Sequence, residues 1–272
     1  MVTSLRRFIR AWNELGSQIA FYIRALGFAG EAIARYKAET LRLVATMSLG
    51  VGALAAIGGA VAVVSTLMFS TGMFSSIQLF SNLSNIGVQA FSGFASAYII
   101  TRLVSPLITT IGLAATIGAG ATAELGAMRI SEEIDALESM SIRAVSYLVS
   151  TRVVAGVLVV IPLWCMVTLV GYLAFRTYVI VVAGQAPWVY NHYFYTYLQP
   201  TDLIWSVLQV ILEGIIIMLI HTYYGFHASG GPAGVGEAVG RAMRISLIAA
   251  VTGALAVAMA AYGVSGSFHL SD

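Results

Sequence analysis

Charge and cysteine are scarce in this chain. Only 10% of its 272 residues are charged and 59% are hydrophobic, with a mean hydropathy of +0.88. Such values exclude an ordinary soluble domain and predict a protein that crosses a membrane several times. The sequence has one cysteine, Cys165, which excludes an intrachain disulfide. It lies inside an apolar run, which predicts a small buried side chain.

The residues that several kinds of enzyme or binding site require are also missing from the sequence. The sole lysine, Lys37, follows Tyr36, so there is no Gly-Lys-Ser or Gly-Lys-Thr for a phosphate-binding loop. We therefore expect no ATPase site, and no spacing of nucleophile and base suggests another enzyme activity. Glycines between 234 and 240 follow an apolar span and not a β-strand, which argues against a dinucleotide cofactor. The net charge is only +2 and the basic residues are dispersed, so the sequence shows no basic patch that would bind nucleic acid.

The four histidines have no carboxylate or cysteine neighbours at the spacing of metal ligands. We therefore expect no metal site and interpret each histidine as a polar interface residue. They are His192, His221, His227 and His269.

Residues 1–42 are predicted to form cytoplasmic or interfacial helices. Apolar residues from Leu5 to Ile19 recur at helical spacing beside arginines, as in an amphipathic helix lying in the membrane interface. A solvated helix packed on another subunit is the alternative. A second polar helix should follow from about Glu31. No cleavable signal peptide is expected, because the first apolar run starts near Leu43 after seven basic residues.

Residues 43–272 are predicted to form an all-α transmembrane domain, since five apolar stretches approach or exceed the ~20 residues of a span. Pro162 predicts a kink in the third stretch. The polar stretch Thr71–Ser96 is interpreted as a loop or re-entrant hairpin, 177–199 as an aromatic interfacial loop, and 225–240 as a glycine-rich connector. The predicted spans are Leu43–Phe69, Leu103–Ala123, Val153–Phe175, Leu203–Tyr224 and Ile245–Tyr262.

Arginine placement predicts the orientation. With five spans and a cytoplasmic N-terminus, twelve of the fourteen basic residues lie on the cytoplasmic side, leaving Arg102 and Arg176 outside. The C-terminus is then extracytoplasmic. We see no internal repeat, so any twofold symmetry would need a second subunit.

The segment Glu124–Ile142 holds five of the twelve acidic residues and separates two apolar runs. It is predicted to form a short amphipathic helix from Ser131, which would act as its N-cap. Ile130, Ile134, Leu137 and Met140 would lie along one side as an apolar stripe, with the acidic residues elsewhere. A docking element for a partner protein is the functional interpretation; a simple cap on the helical bundle is the alternative.

Glu213 is the one acidic residue near the middle of a predicted span, where an unpaired charge costs at least ~2.5–3.5 kcal/mol. Proton coupling or substrate contact is one hypothesis, and buried pairing within the assembly is the preferred one. Arg102 is placed to reach the interface or a lipid headgroup. Small residues of the second span suggest a packing face or cavity wall. Candidate residues of a substrate path are Arg102, Gly112, Thr116, Gly120 and Glu213.

The sequence Ala123-Glu-Leu-Gly-Ala-Met-Arg129, followed by Glu132-Glu-Ile-Asp-Ala-Leu-Glu138, resembles the signature of the MlaE/YrbE permease family. The stretch from Gly225 to Arg241 is similar to YrbE subunits of Mce systems, of the B-type in an A/B pair. The resemblance implies an MlaE-like fold with an interfacial helix and five spans, in the plasma (inner) membrane.

For function, the resemblance implies the permease of an ABC-type lipid importer. Its partners would be a homologous permease, here an A-type YrbE, a cytoplasmic ATPase dimer that binds ATP and Mg²⁺, and a hexameric MCE assembly outside. The segment at about 130–142 would couple the permease to the ATPase. The coupling residues would be Glu124, Arg129, Glu132, Glu133, Ile134, Asp135, Leu137, Glu138 and Met140.

The chain departs from the family pattern at two positions. Relatives often carry Arg-Glu-Leu-Gly-Pro and Gly-Arg-x-Gly, where this chain has Arg102-Leu-Val-Ser-Pro106 and Ala115-Thr-Ile-Gly-Ala119. A glutamate and an arginine are thus absent at Leu103 and Thr116, and their contacts in relatives are not carried over. Two other functions stay open: an ion-coupled secondary lipid transporter, and a scaffold subunit that anchors the MCE assembly without conducting.

Overall fold

The structure, a computed structural model, describes residues 2–49 and 59–262. No β-strand occurs within these ranges, so the predicted all-α class is confirmed. We number ten helices. They are α1 Val2–Gly27, α2 Ala29–Arg35, α3 Lys37–Leu49, α4 Gly59–Asn85, α5 Gln89–Ile130, α6 Glu133–Ser139, α7 Val145–Val182, α8 Pro187–Tyr197, α9 Pro200–Phe226 and α10 Gly231–Tyr262.

Five of the described helices are long and apolar enough to cross a membrane: α4, α5, α7, α9 and α10. The predicted number of spans is thus confirmed. Helices α5 and α7 contain 42 and 38 residues, far more than the ~20 that a bilayer requires. Both include π-helical segments, at Ser96–Val104, Ala114–Gly118, Val145–Ser150 and Tyr178–Val182.

The described part of the first span, α4, extends past the predicted end at Phe69. Helix α3 ends at Leu49, residues 50–58 lie outside the described ranges, and α4 continues to Asn85. The interpretation of Thr71–Asn85 as a loop or re-entrant hairpin was wrong. Hydroxyl groups here bond to carbonyls of their own helix, as when Thr71 Oγ1 donates to Leu67 O at 2.9 Å, so they do not oppose a helix in lipid.

Two other connectors are also more helical than predicted. The aromatic stretch contains helix α8, which starts at Pro187, a residue suited to the first helical turn. The glycine-rich connector narrows to a turn at 227–230. Gly230 and Gly231 have φ of +90° and +71°, a conformation that side chains with Cβ rarely adopt, and α10 follows at once. Pro162 lies inside α7, as expected.

The chain forms two compact units that share the long helices. The first unit contains Met1–Thr46, Ala114–Val157 and Ile215–Ser246, and therefore holds α1, α2, α6 and the segments of α5 and α7 that flank α6. The second unit contains Met47–Leu113, Leu158–Gly214 and Leu247–Asp272.

The core of the second unit joins α4, α5, α7 and α8. Met68, Ile100 and Phe175 are fully buried there, together with Tyr190. The Tyr190 hydroxyl donates to Ser96 Oγ at 2.9 Å, and burial raises the pKa of Tyr190 to about 12, so it stays a neutral donor. A Cβ at Gly93 would lie 2.2 Å from Tyr190 O, so only glycine permits this approach of α8 to α5.

Candidate functional site

The candidate coupling segment consists of the end of α5, helix α6 and the start of α7. Helix α5 ends at Ile130 and α6 spans only Glu133–Ser139. Ser131 does not cap α6, contrary to prediction: its hydroxyl donates back to Ala127 O at 3.1 Å and closes α5. Glu132, with φ of 60°, takes the position before α6 and makes no side-chain cap bond. The segment is thus a sharp turn and a separate two-turn helix.

The predicted apolar stripe of α6 points mainly into the first unit. Ile134 is fully buried, in a cluster with Leu125, Ala144 and Leu148, and Leu137 packs against that cluster. Met140 is exposed, at 63%, as is Ile130 at the end of α5, at 38%. The prediction that Ile134 belongs to an outward stripe was therefore wrong, because α6 uses that side chain to attach itself to α5 and α7.

The outward surface of α6 is acidic. Glu132, Glu133, Asp135 and Glu138 are all exposed, and so is Met140, which directly follows α6. Arg129 Nη1 lies 2.6 Å from Asp135 Oδ1, an exposed pair that ties the turn to the end of α5. An exposed methionine on the same short segment as four exposed carboxylates is suited to a partner that offers an apolar groove and basic side chains. We call these five residues the α6 surface.

Behind α6, a buried arginine joins α5 to α7. Arg152 donates to Leu148 O at 2.9 Å and to Glu124 Oε2 at 3.3 Å. The Arg152 side chain is 3% exposed, whereas that of Glu124 is 59% exposed. The carboxylate thus offsets a charge that α7 buries. We did not single out Arg152 from the sequence, although a lone arginine at the boundary of an apolar run is the signal.

The N-terminal helices attach to the same region. Glu31 of α2 accepts from Arg143 Nη1 at 3.4 Å and from Ser146 Oγ at 3.2 Å. Ser150 Oγ donates to Ala25 O of α1 at 2.8 Å. These contacts cross more than a hundred residues of sequence, and no local pattern reveals them.

His221 lies in a polar cluster of the first unit and not at an interface. Its Nδ1 lies 2.8 Å from Thr122 Oγ1 of α5, and its Nε2 lies 3.1 Å from Ser246 Oγ of α10. A Cβ on Gly118 would meet the His221 ring at 2.6 Å, so this glycine admits the ring. His221 therefore links three spans, and its interpretation as an interface residue was wrong; His269 lies outside the described residues.

The five candidate path residues are divided between the units. Thr116 and Gly120 belong to the first unit, and Gly120 is exposed. In the second unit, Arg102 Nη2 lies 2.8 Å from Asp202 Oδ1, and the guanidinium carbon lies 4.0 Å from the centroid of the Tyr98 ring. Gly112 allows Val64 to pack against the backbone of α5, because a Cβ added at Gly112 would lie 2.5 Å from Val64 Cγ2.

Glu213, the fifth path residue, is buried in the second unit. Its Oε1 accepts from Gln209 Nε2 at 3.0 Å, and Oε2 has no hydrogen-bond partner among the described residues. Within the described part of the chain no basic residue forms an ion pair with it. Buried pairing with a charge is thus not observed among the residues that the structure describes.

The sequence model of one protein family, Permease MlaE, matches residues 41–260, which include all five spans and the α6 surface. The chain belongs to the MlaE permease family. A probable ABC transporter permease protein of Rickettsia bellii is 28% identical over 185 residues, covering 65% of this chain and 68% of that protein. A similar protein of Synechocystis is 28% identical over 178 residues, with the same two coverages.

A plant protein is similar over nearly the same length. Protein TRIGALACTOSYLDIACYLGLYCEROL 1, chloroplastic, of Arabidopsis thaliana is 30% identical over 177 residues, covering 65% of this chain and 51% of the plant protein. The chain is therefore a membrane permease of an ABC-type transporter family, and the family resemblance seen in its sequence is confirmed.

Proposed function

We propose that this MlaE-family permease couples ATP hydrolysis by a separate ATPase to lipid import across the inner membrane. It would pair with a homologous permease subunit, with an A-type YrbE as the expected companion, and carry a hexameric MCE assembly outside. ATP and Mg²⁺ would bind to the ATPase. The plant relative supports a lipid substrate, since the name it carries is that of a glycolipid.

The α6 surface is the observation that carries this proposal. It places one exposed methionine among four exposed carboxylates, on the side that the arginine distribution assigns to the cytoplasm. Central apolar contacts supply most of the affinity in a protein interface, and charges around them steer association. We therefore place Met140 in a groove of the ATPase, with the carboxylates against basic residues at its rim.

Attachment of α6 lets it act as a lever. Burial of Ile134 against Leu125 and Leu148 ties α6 to the second and third spans, and the pair of Arg152 with Glu124 ties those spans to each other. A force applied to α6 would then move together the parts of α5 and α7 that belong to the first unit, because packed interiors are not continuously deformable. Leu137, which is half-buried, also contributes to this internal contact.

The test is Met140→Asp in the full chain, co-expressed with its ATPase. An unpaired carboxylate in the apolar centre of the interface should weaken ATPase association at least tenfold, the effect of about 1.4 kcal/mol. Glu138→Lys should have a smaller effect that diminishes at high salt. Co-purification and lipid-stimulated ATP hydrolysis are the measurements.

Glu237→Lys is the matched control. Glu237 is an exposed glutamate in α10 of the same unit, paired with Arg241 at 3.5 Å, and it lies outside the α6 surface. It should leave ATPase association unchanged. If Met140→Asp inserts and still co-purifies with an active ATPase, α6 is not the coupling element.

A further inference from the structure

The second unit contains an open apolar groove between α7 and α9. Its volume is about 580 Å³, within the ~300–1,000 Å³ typical of ligand sites. Trp164, Thr168 and Tyr172 form one wall, and Leu203 and Val207 lie on the other. Cys165 also lines the groove and is exposed, so its prediction as a buried side chain was wrong.

The lining of this groove is suited to contact with lipid hydrocarbon and not with water. Both walls belong to helices that can span a membrane, and the side chains at the rim, Leu169, Ile204 and Leu208, are exposed and apolar. The polar atoms nearby are already bonded: Trp164 Nε1 donates to Ser206 Oγ at 2.9 Å, and the Thr168 hydroxyl bonds to that of Ser105. The groove therefore presents little but carbon to its occupant.

One end of the groove is polar. Tyr172 bonds through its hydroxyl to Thr101, the neighbour of Arg102, and Leu203 directly follows Asp202. The ion pair of Arg102 with Asp202 thus stands beside the groove where α9 begins. The groove is thus apolar along its length and charged at one end, as a membrane lipid has apolar acyl chains and a polar headgroup.

The volume of the groove, about 580 Å³, suits one acyl chain. A single acyl chain is narrow and flexible enough to fill it. An empty groove would forfeit the dispersion contacts of its walls. We propose that the groove between α7 and α9 is a binding site for one acyl chain of a membrane lipid.

This inference goes beyond the proposed function and does not depend on it. It requires only that the chain inserts in a membrane, so it holds or fails without reference to the ATPase.

The test uses a photoactivatable phospholipid. The full chain is placed in vesicles of phosphatidylglycerol and phosphatidylethanolamine with a small fraction of lipid that carries a diazirine on its acyl chain. After illumination, mass spectrometry locates the labelled residues. Labelling at Trp164–Tyr172 and 203–208 should exceed that on the exposed face of α10, at Ile248 and Leu255, by about fivefold, since a fitted chain stays longer than one on an open helix face.

Val207→Trp fills the groove and should lower labelling at Trp164–Tyr172 about fivefold, because the indole excludes the chain. Ile248→Trp makes a similar change at an exposed α10 residue and should have no such effect. If Val207→Trp fails to insert, Leu208→Trp at the more exposed rim gives the same readout. Even labelling of groove and α10, or labelling that either inserted groove variant leaves unchanged, overturns the proposal.

A second arm repeats the labelling in the complex with the natural partner proteins. Labelling that persists supports an acyl chain as the occupant in the assembly. Labelling that the partners abolish means that a protein segment covers the groove, and the lipid site is then wrong. Neither result bears on Met140→Asp, so failure of this inference is distinguishable from failure of ATPase coupling.

Discussion

The two compact units each contain an arginine–carboxylate pair, and the pairs are arranged in opposite ways. In the first unit the base is buried and the acid reaches outward: Arg152 is 3% exposed and Glu124 59%. In the second unit the acid is the more buried partner, with Asp202 at 7% and Arg102 at 22%. The distances also differ, at 3.3 Å for the first pair and 2.8 Å for the second.

The difference in exposure predicts which substitution in each pair destabilises the protein more. Removing one member of an ion pair is most harmful when the charge left behind is buried, because it then has neither water nor a counter-ion. Asp202 would be left buried without Arg102, although the start of α9 still favours its charge. Arg152 would be left buried without Glu124 but would keep its bond to Leu148 O.

Arg102→Ala should give the largest loss of stability. It leaves the buried Asp202 carboxylate without its cation, and we expect a loss of about 3 kcal/mol in the free energy of unfolding. Asp202→Ala should cost less, because Arg102 stays partly exposed above the Tyr98 ring. Thermal unfolding of the purified protein in detergent measures both changes.

The double variant Arg102→Met with Asp202→Leu is the control for this pair. Replacing both charges with apolar groups of similar volume should recover most of the loss. If Arg102→Ala costs no more than Asp202→Ala, the more buried partner does not determine the stability of the pair.

Glu124→Ala also leaves a buried charge, that of Arg152, but its effect should be smaller, of roughly 1 kcal/mol. Solvent already weakens the interaction of the largely exposed carboxylate with Arg152, and Arg152 keeps its bond to Leu148 O. Double-mutant cycles with Arg152→Met would measure the coupling energy directly. A cost equal to that of Arg102→Ala would contradict the contrast between the units. The exposed pair Arg129 with Asp135 serves as reference, and its removal should have little effect.

The sequence predicted the number of spans because apolar runs of sufficient length have few other uses. It also located the α6 surface, since five acids between two apolar runs require water or a partner. It did not reveal the assignment of Ser131, which depends on the left-handed backbone of Glu132 at the turn. Nor did it reveal the burial of Ile134, because the residues that cover it come from α5 and α7.

Buried polar clusters were the hardest features to predict. His221 is enclosed by Thr122 and Ser246 from two other spans, and neither partner is recognisable from local spacing. The α7–α9 groove has the same difficulty, since each wall alone reads as an ordinary apolar helix. The helix boundaries of Thr71–Asn85 were missed for a local reason: hydroxyl groups that bond to their own helix resemble loop residues in a sequence.

Glu213 can be compared with Asp202, because it is a buried carboxyl group that forms no ion pair with an arginine of the described chain. The conservative substitution Glu213→Gln is its most informative test. Glu213→Gln should change stability and ATP-driven lipid transport little, since Gln209 can still hydrogen-bond to the new side chain, which has the same shape and fits beside Gly253. Transport is measured in vesicles with the partner ATPase, with and without a pH gradient. An ion-coupled transporter would instead lose gradient-driven transport in Glu213→Gln and would not need ATP. Retained ATP-dependent transport would show that the transport cycle does not depend on a proton carried by Glu213.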